Sequence, residues 1–180
     1  MKKIKYTTIN KKLKNIMKFI FLFFIFMTPL YFISRNIYFL QLATAKLVFS
    51  LLKIFRFRVT LDGVNILIAG KTGFFLGDIA WDCTGWKSVV LFISLVMASP
   101  KSLRMKVKAF AFVPVIYIVN IFRIFFMFVL ASENIRYFQI FHQFLWSFGM
   151  VAIVFLLWLN WFYPCFYSRL IKKANVKKIS

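Results

Sequence analysis

Pro100-Lys101-Ser102-Leu103-Arg104-Met105-Lys106-Val107-Lys108 sets four bases in one short loop, and an apolar run flanks it on each side, 84–98 before and 109–130 after. Lysine and arginine gather in the cytoplasmic loops of membrane proteins. The loop is therefore read as cytoplasmic, and the two runs as helices of about membrane length. Working outward, the segment 132–141 then lies outside, the apolar run 142–163 returns, and 165–180 ends the chain on the cytoplasmic side with Arg169, Lys172, Lys173, Lys177 and Lys178. By the same parity, whatever precedes residue 84 is also extracytoplasmic.

Composition supports a membrane reading throughout. With 62% hydrophobic residues and 26 phenylalanines in 180 residues, and a mean hydropathy of +0.81, the chain has too little polar surface for a soluble single-core domain. Its formal charge of +21 would point to nucleic acid in a soluble protein. Here the bases sit at the ends of apolar runs, where anionic headgroups account for them, and no basic face is interleaved with stacking aromatics. A nucleic-acid partner is set aside. Two cysteines, Cys83 and Cys165, fall at opposite membrane ends and are read as free thiols. One histidine and four scattered carboxylates do not make a transition-metal site, and no glycine-rich phosphate loop follows a strand, so no cofactor or metal is expected.

Toward the amino terminus, 1–18 is a basic cytoplasmic segment and 16–33 the first span, with Pro29 near its end. The basic region is too long, and a small-x-small site too clearly lacking, for a cleavable signal peptide. The run 37–55 is long enough to cross but is interrupted by Gln41, Lys46 and Lys53. Segment 56–82 changes character: Phe57, Val59 and Leu61 alternate with polar neighbours, Asp62-Gly63 marks a turn, and 64–69 reads as a second strand. The expected architecture is an all-α polytopic membrane protein in one integral domain, 1–180, with about four to five transmembrane helices and a small extracytoplasmic β-hairpin in 56–82. Parity fails by one if 37–55 crosses fully. That run is tilted, re-entrant or interfacial, or the amino terminus lies outside, or the whole assignment is inverted. The first solution is preferred, because Lys46 and Lys53 make a poor lipid-facing helix.

Three residues carry candidate chemistry. Cys83 opens the run 84–98, where unpaired backbone N–H groups and the helix dipole favour a thiolate, the reactive form. Asp82 could cap that helix, while its charge pushes the thiol the other way. The N–H groups of Thr84 and Gly85 could meet an oxyanion. Arg123 lies about 15 residues beyond the basic loop, hence roughly 22 Å into a core of about 30 Å, in the outer third. A guanidinium there needs a partner or a function; Asn120 shares its face and can orient it or the substrate. His142, at the outer end of the last run, titrates in the range that suits proton transfer. Each has a plainer reading: a small apolar filler, an ion pair with Asp78 or Asp82, a polar anchor. Their common depth on three separate runs favours a shared site.

Cys83-Thr84-Gly85, then Asn120-Ile121-Phe122-Arg123-Ile124, then His142, in that order on successive hydrophobic runs, resembles the exosortase/archaeosortase family of membrane transpeptidases over roughly residues 56–170. The resemblance implies that Cys83 is the nucleophile, Arg123 essential and His142 the third member of the triad. It also implies partners: secreted proteins that end in a short motif, an apolar helix and a basic cluster. The product would be transferred to a membrane lipid, another surface acceptor or water. Two rivals remain at this level, a non-enzymatic transport or assembly protein and a thioester-forming lipid acyltransferase.

Overall fold

The computed structural model describes residues 2–33, 37–71, 73–134, 136, 138, 141 and 148–163, with the side chains of the first helix described from residue 13 to 32. The order is α1 (Lys2–Ile33), α2 (Tyr38–Ile54), β1 (Val59–Asp62), β2 (Asn65–Gly70), β3 (Gly73–Asp78), a 3₁₀ turn (Trp81–Thr84), α3 (Trp86–Ala98), α4 (Leu103–Ala109), α5 (Phe112–Glu133) and α6 (Met150–Phe162). Among the described residues, two stretches are long and apolar enough to cross a membrane, Leu13–Phe32 and Leu103–Glu133; Trp86–Ala98 and Met150–Phe162 are shorter apolar helices.

α1 buries none of the residues Leu13–Phe32. It leans on its neighbours through a few rings, Tyr31 against Trp86 and Phe19 against Trp158. Its outer face, with Phe21, Phe24 and Phe32 exposed, is the surface expected against lipid. α5 has the opposite character: Ile116, Asn120, Ile121, Ile124, Met127 and Phe128 are buried at helical spacing, because α2, α3, α6 and the sheet all pack on it.

α2 buries Thr44, Ala45, Val48 and Leu52 on one stripe and leaves Lys46 and Lys53 outside. The lysines that interrupt the run in sequence therefore sit on the face away from the core. The helix stops by its own geometry. Arg56 adopts φ +62, Phe57 N–H bonds Leu52 O at 3.0 Å and Arg56 N–H bonds Lys53 O at 2.9 Å, the paired closure that satisfies terminal carbonyls and turns the chain away.

The expected hairpin is revised: the chain makes a three-stranded antiparallel sheet in the order β1-β2-β3. Thr60 faces Leu67 across the first ladder, and Leu67 faces Leu76 across the second. The third strand, Gly73-Phe74-Phe75-Leu76-Gly77-Asp78, lacks the clean alternation that marks a half-buried strand and earns its place by pairing with β2. The sheet lies directly on α5. A side chain at Gly77 would come within 2.6 Å of the Phe128 ring, and Lys71 ties the β2–β3 turn to the end of α5 through N–H to Ser132 O at 2.8 Å and Nζ to Glu133 at 2.6 Å.

Two apolar cores result. Ala45, Val48, Leu52, Ile66, Ile68, Ile79, Ile121, Ile124 and Phe128 join α2, the sheet and the late part of α5. Phe92, Val96, Ala109, Ile116, Met150, Val154 and Trp161 join α3, α4, the early part of α5 and α6.

Candidate active site

The first core ends at a short turn, and that turn carries the cysteine. After β3, Ile79 is clamped: its N–H bonds Val64 O at 3.1 Å and its carbonyl accepts from Gln41 Nε2 of α2 at 3.2 Å. The 3₁₀ turn follows at once, with Cys83 N–H donating to Ala80 O at 2.8 Å and Thr84 Oγ1 to Trp81 O at 2.8 Å. Trp81 stacks on Trp86, ring centroids 5.6 Å apart, which pins both sides of the turn. Gly85 then takes φ +80, a left-handed conformation that side chains resist. A Cβ there would also meet Asn120 Cγ at 2.9 Å.

Asn120 of α5 is completely buried and donates from Nδ2 to Cys83 O at 2.7 Å. That bond ties α5 to the backbone of the nucleophile candidate. One turn further along α5, Arg123 lines the same pocket as Cys83. The pocket has a cavity volume of about 70 Å³ and is walled by Phe75, Gly77 and Asp78 of β3 on one side and by Met127 and Phe128 of α5 on the other. Cys83 and Arg123, 40 residues apart in the chain, are thus brought together. Thr84 and Gly85 are buried behind the cysteine. His142 and Cys165 lie outside the described residues, as does most of the segment that precedes α6.

Two expectations about the thiol are corrected. Cys83 does not open α3, whose cap is Gly85, so the dipole of that helix does not converge on the sulfur. Burial pushes the Cys83 thiol above its ordinary value; Arg123 pulls it back and Asp82 adds to the rise. Burial thus favours the neutral thiol over the thiolate. Asp82 caps nothing: its carboxylate pairs with Lys87 at 2.9 Å.

Residues that the sequence did not single out complete the site. Gln41 read only as an interruption of an apolar run, though a lone amide in such a run signals a polar contact inside the bundle. Phe75 and Gly77 carry no local signal, since their strand is recognisable only from its partner.

Residues 8–159 match the family described as Transmembrane exosortase (Exosortase_EpsH). The match spans the sheet, the 3₁₀ turn, α5 and position 142. No curated protein and no solved structure matches the chain.

Proposed function

Because this chain belongs to the transmembrane exosortase family, a membrane family of cysteine transpeptidases in general, we propose that it is a cysteine transpeptidase acting on the carboxy-terminal sorting tails of secreted proteins at the extracytoplasmic rim of the membrane. The observation that carries the reading is the meeting of Cys83 and Arg123 in one pocket, with the turn bearing the cysteine held from α5 by Asn120. A thiol kept protonated by burial calls for a proton acceptor, and His142 is the chain's only imidazole.

In this mechanism His142 takes the Cys83 proton and the sulfur attacks a peptide carbonyl. The oxyanion is met by Arg123, which lines the pocket beside Cys83. The C–N bond breaks, the leaving amine receives the proton from His142, and a thioester remains on Cys83. An amine or hydroxyl of a lipid or surface component, or water, then attacks the thioester and frees the thiol. The buried bond from Asn120 keeps the cysteine carbonyl, and with it the sulfur, at one position opposite Arg123. The tail's apolar helix would lie against the exposed helix faces of the bundle. The four apolar helices α1, α3, α5 and α6 supply the crossings, with α2 packed beneath the sheet, residues 56–82 outside, and both termini cytoplasmic.

The test is to purify the protein from cells that also make a secreted protein ending in a short motif, an apolar helix and a basic cluster, and to map adducts on Cys83 by mass spectrometry. A client peptide released by hydroxylamine is expected, and Cys83→Ser should lose both the adduct and client processing. A fatty acyl group on Cys83, or normal processing by Cys83→Ser, overturns the proposal.

A further inference from the structure

A second cleft lies at the opposite end of α3 from Cys83. It has a cavity volume of about 380 Å³ between α1 and the α3–α4 connection, and Lys18, Lys101 and Lys106 line it together with Asn15, Phe19 and Leu22. We propose that this cleft binds the phosphate headgroup of an anionic phospholipid, independently of any chemistry at Cys83.

Charge is the first argument. All four side-chain carboxylates of the chain are elsewhere: Asp62 and Asp78 in the sheet, Asp82 before α3 and Glu133 at the end of α5. Asp82 and Glu133 already hold Lys87 and Lys71. No acidic side chain is left to neutralise the three lysines, so the counter-anion comes from outside. Each lysine is also placed by the protein. Lys106 Nζ donates to Met97 O at 2.6 Å, closing the end of α3; Lys101 Nζ sits 4.7 Å from the centre of the Phe162 ring; Lys18 projects from α1. An ammonium spends one of its three N–H groups on a carbonyl and keeps the others for phosphate oxygens.

The second argument separates a lipid from a soluble anion. Along α1 the cleft wall runs from Asn15 and Lys18 to Phe19 and Leu22 and continues into the apolar, unburied stretch that ends at Phe32. The wall thus changes from cationic to apolar in one direction, as a phospholipid does from headgroup to acyl chain. Basic pockets between helices at the cytoplasmic rim are suited to such headgroups.

The full chain is reconstituted in phosphatidylcholine vesicles holding a minor fraction of phosphatidylglycerol, and lipid retained on the extracted protein is measured by native mass spectrometry. Phosphatidylglycerol should be enriched on the wild type. The double variant Lys18→Gln, Lys101→Gln should bind it roughly 30-fold more weakly, the factor for two lost surface lysines, and Lys18→Arg, Lys101→Arg should keep it. Lys46→Gln with Lys53→Gln on α2 removes the same charge elsewhere and should change little. Equal loss in that control shows a diffuse charge effect and overturns the site. Displacement of the lipid by excess inorganic phosphate overturns the lipid assignment.

Discussion

The cleft beside Cys83 and the cleft beside Lys101 sit at opposite ends of one helix, α3, and differ in how they are made. The sheet-end pocket is walled by a strand and a helix, with Cys83, Arg123 and Asp78 set among apolar residues. The basic-end cleft is lined by three lysines on a helix and two connected segments, without any carboxylate. All four acids are at or near the sheet end, and their removal from the other end leaves a surface that only an external anion can neutralise. The lesson is a division of labour by depth. One end buries its polar groups to hold geometry, and the other leaves three ammonium groups around a cleft.

Substitutions can break this contrast. Arg123→Ala should lower kcat/KM by about 100- to 1,000-fold, the usual loss of one oxyanion donor, while phosphatidylglycerol retention stays at the wild-type level. The same variant sharpens the electrostatics. Alkylation of Cys83 by an uncharged reagent should quicken as pH rises and the thiolate forms. Removing Arg123 takes away a charge that favours the thiolate, so the profile should move to higher pH. A profile unchanged by Arg123→Ala would separate the two residues and dissolve the sheet-end site.

Asn120→Ala leaves Cys83 O without its buried donor and should cost about 1–3 kcal/mol of stability. Its kcat should fall more than thermal denaturation in detergent predicts, because the sulfur is released as well. The counterpart at the basic end is Trp161→Phe, which removes the bond from Nε1 to Met105 O at 3.1 Å. It should cost about 1 kcal/mol and leave turnover untouched, so a turnover loss there would show that the two ends are coupled.

The smallest effect is expected at Arg56→Gly. The left-handed conformation costs a side-chain-bearing residue about 1–2 kcal/mol, and the greater chain entropy of glycine returns about 0.5–1 kcal/mol of that. A net gain of about 0.5 kcal/mol in denaturation measurements is expected, with activity unchanged.

Much of the helical framework was legible in the residue order. Run 37–55 became α2 at Tyr38–Ile54, and run 109–130 became α5 at Phe112–Glu133, because apolar length and flanking charge are properties of a segment taken alone. β3 was not legible, since Phe74-Phe75-Leu76 between glycines has no two-residue period and is a strand only because Leu67 and its neighbours offer a ladder. The thiol of Cys83 was misjudged for a related reason. Its position in the chain suggests a helix start, whereas its environment is set by burial and by Arg123, far away in sequence.

By itself the sequence determined that this chain partitions into a membrane, that its long apolar runs hold helices, and that a cysteine, an arginine and a histidine fall on successive runs. Hydropathy and charge are summed locally, so no tertiary contact is needed to read them. Only the tertiary structure decided that Asn120 grips Cys83, that Gly77 admits Phe128, that Asp82 turns to Lys87, and that three lysines from two separate parts of the chain surround one cleft. Those outcomes depend on distances between residues remote in sequence, which the packing of α5 against the sheet and of α1 against α3 sets.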